Sequence, residues 1–183
     1  MWLTAGPSPA KICMASVQAN LLSGRYQTEA LARHWSQNKN GMCLISSACN
    51  NLSLKEDVPH ILKICPALLG VREKLKNYTI QKTSELDINL RKEILNLCSP
   101  SHNDFCHFLI DCSTLPLVIS LVDLYGKQLL SALFEITRTW VFSLHRERLR
   151  RLDRWRSSNQ LWKFLSKDDC CGTSQNCVPQ IYN

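Results

Sequence analysis

Apolar side chains recur at steps of three and four along most of this chain, and that spacing limits what it can fold into. Residues three or four apart share one face of an α-helix, whereas a strand alternates every second position. Leu129, Leu133, Ile136, Trp140 and Leu144 form one such stripe, which predicts a long helix over 127–155 set off by Gly126. Leu86, Leu90, Ile94 and Leu97 line one face of a second helix over 84–97. Shorter helices are expected over 10–22, ending at Ser23-Gly24, then over 28–35, 102–112 and 115–125. Asp57-Val-Pro59 reads as a capping carboxylate with Pro in the first turn, and Pro66 opens a further helix to about Tyr78. With 45% hydrophobic residues and glycine at only six positions, the chain can build a helical core. The expected fold is all-α: a small helical domain with an irregular Cys/His loop near its N-terminal side and a long basic C-terminal helix.

Four segments are expected on this reading. Residues 1–16 are expected to be a disordered or leader segment. Residues 17–80 form a helical segment carrying the Cys/His loop, and 81–156 a helical domain ending in the basic helix. Residues 157–183, where the pattern decays, are expected to be a disordered tail. No internal repeat stands out.

Charge and cysteine content narrow the setting. The net charge of +7 and a pI near 9.0 suit a polyanionic partner. Between Arg138 and Arg156, seven arginines stand against only Glu147 and Asp153; a solvated helix face is the plainer reading of such a run. Ten cysteines would suit a secreted disulfide scaffold, but the start Met1-Trp-Leu-Thr-Ala-Gly-Pro-Ser-Pro9 has neither a basic region nor an unbroken apolar core for export. Sequons at Asn51 and Asn77 have no meaning without export. The most apolar stretch, 115–124, is too short to span a bilayer. A reduced, intracellular protein of nucleus or cytoplasm is expected, with no membrane and no small-molecule substrate.

Cys43, Cys49, His60 and Cys65 spell C-x5-C-x10-H-x4-C. Three thiolates and an imidazole are donors that Zn2+ accepts in a tetrahedron, and such a closed set is structural because it leaves no position for a substrate. The first gap exceeds the usual two to four residues. The last also has a geometric cost, since residues five apart on an α-helix point about 140° away from each other. A break between His60 and Cys65, made plausible by Pro66, is therefore required. Buried unligated cysteines, a decayed site and disulfides are the other readings, and His34 is near enough in sequence to substitute as a ligand.

Three stretches carry a resemblance: Leu22-Ser-Gly-Arg-Tyr-Gln-Thr-Glu-Ala-Leu-Ala-Arg-His-Trp35, the closing Glu56-Asp-Val-Pro-His-Ile-Leu-Lys-Ile-Cys-Pro-Ala-Leu68, and Thr137-Arg-Thr-Trp-Val-Phe-Ser-Leu-His-Arg-Glu-Arg-Leu-Arg-Arg-Leu-Asp-Arg-Trp155. Together, over roughly 17–155, they resemble the zinc-knuckle region that follows the polymerase in reverse transcriptases of non-LTR retrotransposons. The resemblance implies a structural zinc ion on Cys43, Cys49, His60 and Cys65. It also implies a nucleic-acid-binding accessory piece, holding template RNA or target DNA, with neither polymerase nor endonuclease. The alternative is a transposon remnant or a helical protein-interaction module without specific nucleic-acid binding.

Arg25, Arg138, Arg146, Arg148, Arg150, Arg151 and Arg154 are the candidate phosphate contacts. Trp155 and Trp162 are candidates for stacking on unpaired bases or for filling the core, while Trp140 belongs to the core. Tyr26 and Arg33 add a smaller basic-aromatic group. A second cluster, Cys98-x3-His102-x3-Cys106-x5-Cys112 with His107 alongside, reads more simply as core cysteines on short helices. The chain has no Tyr-x-Asp-Asp, no G-x-S-x-G and no Walker-type loop, and no third group orients a Cys–His pair, so no catalysis is expected.

Overall fold

The stripe on the C-terminal helix organises the molecule. In a computed structural model of the chain, residues 8–28 and 40–158 are described. Helices α1 (Pro9–Leu22), α2 (Ser47–Asn51), α3 (Leu69–Lys82), α4 (Ile88–Leu97), α5 (Phe105–Asp111), α6 (Pro116–Tyr125) and α7 (Lys127–Ser158) account for its regular structure. The described residues contain no strand, only an isolated antiparallel bridge between Met42 and Lys55. The fold is all-α, as the spacing predicts.

Helix α7 spans 32 residues, and α1, α3, α5 and α6 pack along it. Leu129, Leu133, Ile136, Trp140 and Leu144 are all buried against those neighbours. Trp140 donates its indole N–H to Thr79 Oγ1 on α3 at 2.9 Å and meets Phe105 of α5 edge to face, with centroids 5.6 Å apart. Both contacts give this large polar-tipped ring a defined seat in the core. Gln18 of α1 joins two further elements, donating to the Leu109 carbonyl at 3.0 Å and to Thr137 Oγ1 at 3.4 Å. On α4 the predicted face is found, with Leu90, Ile94 and Leu97 buried and Leu86 packed just ahead of the helix. That helix starts at Ile88 because Asp87 accepts hydrogen bonds from the N–H groups of Asn89 and Leu90.

Two boundaries of the expected segments fall inside helices. Helix α1 begins at Pro9, inside the segment 1–16 read as leader, because Pro suits a first helical turn and Ala15 is fully buried. The division at 80/81 falls within α3, and one core runs from Val17 to Leu152 across it. Segments 1–7, 29–39 and 159–183, which hold most of the expected helix over 28–35, His34, Arg33 and Trp162, lie outside the described residues. No single helix among the described residues is long and apolar enough to cross a membrane.

Candidate metal centre

The loop over 40–57 folds back on itself through three backbone hydrogen bonds. Cys43 N–H donates to the Leu54 carbonyl at 2.9 Å, Leu54 N–H to Cys49 at 3.0 Å, and Glu56 N–H to Gly41 at 3.0 Å. Cys49 sits in the first turn of α2, where its N–H is capped by Ser46 Oγ at 3.4 Å. Asp57 then caps the next turn as the sequence suggests, accepting from His60 N–H at 2.8 Å.

The turn that Asp57 caps opens α-helically at Val58 and Pro59, with Ile61 N–H on the Asp57 carbonyl at 3.1 Å, and then widens. Residues His60–Ile64 form a π turn, in which Cys65 N–H donates to the His60 carbonyl five residues back at 2.8 Å. The wider turn returns the chain to the same side after five residues rather than four. Cys65 then leaves in a non-helical conformation, φ −53° and ψ 116°, and Pro66 starts a short 3-10 turn over Pro66–Leu68. The break that the x4 spacing demands is thus made by a π turn together with a non-helical Cys65.

As a result, one ligand atom from each of Cys43, Cys49, His60 and Cys65 lies within 4.8 Å of every other. The four residues are 0%, 1%, 3% and 0% exposed, so the set is closed to solvent. Cys43 Sγ and Cys65 Sγ are 3.8 Å apart, and none of the three cysteines is in a disulfide. Two thiolates at a tetrahedral ion with bonds of about 2.3 Å would stand about 3.8 Å apart. His60 Nε2 is buried without a hydrogen-bond partner, an arrangement that is costly in a protein interior unless something binds there. The donor set, the sulfur separation and the orphaned nitrogen all fit a metal ion.

The electrostatics favour losing one proton first. The Cys65 thiol is pulled down to about 4, chiefly by the hydrogen bond from Cys43 and further by His60 and the backbone at Ala67, against its own burial. Cys43 is pushed up by that same hydrogen bond and by burial, and burial also raises Cys49. Cys65 is therefore the thiolate that would first meet an incoming cation.

The second cysteine cluster does not form a site. Cys98 and Cys112 face the core, where burial pushes both thiols up to about 12. His102 instead accepts the Asp104 N–H on the surface, and His107 Nε2 meets Thr114 Oγ1 at 2.7 Å. Among the described residues only the Cys43 set brings three or more such donors together.

The arginines sort differently from the charge count. Arg148 is buried, 4% exposed, and both its Nε and Nη2 donate to Glu56 Oε1, at 3.1 and 2.5 Å. Arg138 is buried as well, with its guanidinium over the Phe134 ring at 5.2 Å. Both side chains are thus withdrawn from the surface on which the other candidate arginines stand. Arg150 and Arg151 both bond Glu147, the first exposed and the second partly so. Arg146, Arg150 and Arg154 are four apart and all exposed, which places them in one outward stripe on α7. Arg25 is exposed just after α1, and Trp155 is partly buried.

Sequence reasoning missed Glu56 and the role of Arg148. A signal was present: Arg148 and Leu152 continue the inward stripe beyond Leu144 in steps of four. Around this pair, Tyr26 hydroxyl and His145 Nδ1 share a hydrogen bond of 2.9 Å, and the Arg148 guanidinium lies over the Tyr26 ring at 5.8 Å. Burial and the nearby Arg148 charge lower the His145 pKa to about 4. Comparison with protein-family models, with curated proteins and with solved structures gives no match.

Proposed function

We propose that this chain is a non-catalytic nucleic-acid-binding module in which a structural Zn2+ fixes a loop beside an arginine-bearing helix. In this it resembles the zinc-binding tail of a non-LTR retrotransposon reverse transcriptase. The observation that carries the reading is the convergence of Cys43, Cys49, His60 and Cys65 within 4.8 Å in a buried set. Among metal ions, Zn2+ best suits three thiolates and one imidazole in a tetrahedron, and four protein donors leave it no open position for chemistry. The metal's part is to hold the loop. Glu56, in that loop, ties it through Arg148 to α7, so that the helix carrying Arg146, Arg150 and Arg154 is seated against the centre. The outward stripe then supplies sequence-independent attraction to phosphates.

The test has two arms. Purified protein should contain one zinc per chain by elemental analysis, and Cys43→Ser should lose it. Single-stranded RNA should bind with an affinity that falls steeply with salt. Replacing Arg146, Arg150 and Arg154 together by Gln should lower the log–log salt slope by about 2, at roughly 0.7 per lost phosphate contact. A slope unchanged by the triple variant would remove the stripe from the interface.

A second reading, a helical protein-interaction module, draws on exposed apolar side chains. Ile88 and Leu124 are 76% and 73% exposed, and their helices are joined by a Tyr125 hydroxyl to Asp87 hydrogen bond of 3.4 Å. Folded, zinc-loaded protein that shows no salt-dependent affinity for RNA or DNA would favour this reading.

A further inference from the structure

The Cys/His cluster has a charged neighbour that its own donors do not explain. Arg72 lies in the first turn of α3 and is 5% exposed. Its Nη2 reaches back across the turn at 66–68 and donates to the Cys65 carbonyl at 2.6 Å. Its Nη1 is buried with no hydrogen-bond partner, and among the described residues no carboxylate pairs with it. Three costs meet at this side chain. A guanidinium has been taken out of water. One of its donors is left unsatisfied. It also stands at the positive end of a helix dipole, where a cation is disfavoured. Burial lowers its pKa and the Cys65 thiolate pushes it back up. Arginine does not shed its proton in proteins, so a buried guanidinium without a carboxylate calls for another anion.

A loaded metal centre is such an anion. A divalent ion bound by three thiolates and a neutral imidazole carries one net negative charge, and one buried arginine balances it. We propose that Arg72 is the counter-ion of the metal centre: it offsets the single excess charge of a divalent ion held by Cys43, Cys49, Cys65 and His60, and so favours a divalent over a monovalent ion. The inference rests on the reading of the cluster as a metal site and goes beyond it, because none of the four donors requires a fifth, charged residue. A monovalent ion in the same donor set would leave two negative charges against one arginine. In the empty cluster the Cys65 thiolate already offers the guanidinium one negative charge, and a divalent ion on three thiolates leaves that balance unchanged. Arg72 therefore acts through the ligands, offsetting the excess charge that three thiolates bring to a divalent ion.

The experiment measures Zn2+ affinity of the full chain by competition with a chromophoric chelator. Arg72→Met keeps much of the apolar stem and removes the charge, whereas Arg72→Lys keeps the charge. Arg72→Met should weaken Zn2+ binding by roughly 10- to 100-fold and move its pH dependence upward, while Arg72→Lys should stay much closer to the native protein. Cys49→His makes the loaded centre neutral, so adding Arg72→Met in that background should cost little further affinity. Native protein that takes up no Zn2+ overturns the metal reading itself. Native protein that binds Zn2+ while Arg72→Met binds as tightly overturns only the counter-ion role. Should Arg72→Met fail to fold alone, Zn2+-dependent recovery of folding on adding Cys49→His supports the charge argument, and no recovery overturns it.

Discussion

At the residue scale, position on a helix decides what an arginine can do, and charge counting does not see position. Arg148 and Arg150 are two residues apart, yet one is sealed against Glu56 and the other reaches solvent. Breaking a buried pair by removing one partner costs more than removing both, because a lone charge is left behind. Arg148→Met should therefore destabilise the protein by about 3–5 kcal/mol, and Glu56→Leu added to it should recover much of that loss. Urea unfolding of the two single variants and the double variant measures this directly. The four donor residues were legible as a set only through a resemblance, since buried cysteines are common in ordinary cores. The inward place of Arg148 was missed, although the stripe of fours carried it by fixing the direction of a side chain as well as its spacing. Arg72 was not legible, because nothing in its neighbours announces that it turns back toward Cys65.

At the scale of elements, long periodic helices declare themselves and single turns do not. Helices α4 and α7 lie where their apolar faces put them, since each repeats its signal over nearly three turns or more. On α1 apolar character alone does not mark the inward face: Val17 and Leu21 are buried, whereas Ile12 and Leu22 are 44% and 42% exposed and Gln18 takes a core place. The π turn at His60–Ile64 has no propensity signal, because its five residues would serve equally well in an α-helix. The junction of α6 and α7 shows the opposite case. Gly126 stands at φ 90° and ψ 163°, a conformation essentially restricted to glycine, with its N–H on the Val122 carbonyl at 2.8 Å. No atom lies within 4 Å of where a Cβ would be, so Gly126→Ala meets backbone strain without a clash. A loss of roughly 1–3 kcal/mol in chemical unfolding, with the helical circular dichroism of the folded state unchanged, is expected.

At the scale of the whole molecule, the loop and the helices share one core, so the metal's effect is not confined to the loop. Cys43, Cys49 and Cys65 belong to the same buried cluster as Leu144 and Leu152. Zn2+ at about a hundred times its dissociation constant would stabilise the folded state by about 2.7 kcal/mol. For a chain of this size, removing the ion with a strong chelator should lower Tm by about 5–10 °C. Loss of helical signal and exposure of the three thiols should occur in one transition, and thiol exposure well ahead of helix loss would show that the loop melts separately. The fold class was legible at this scale from spacing alone. The unity of the two halves was not, because Gln18, Trp140 and Glu56 each join segments that are far apart in sequence.

The π turn and the loop before it leave Cys43 and Cys65 with their sulfurs side by side, although they stand 22 positions apart along the chain. A divalent ion between them would close a ring of polypeptide much as a disulfide does, restricting the unfolded ensemble by about 3 kcal/mol for a ring of this order. Unlike a disulfide, such a clasp needs no oxidant to form, and it opens when the ion is withdrawn.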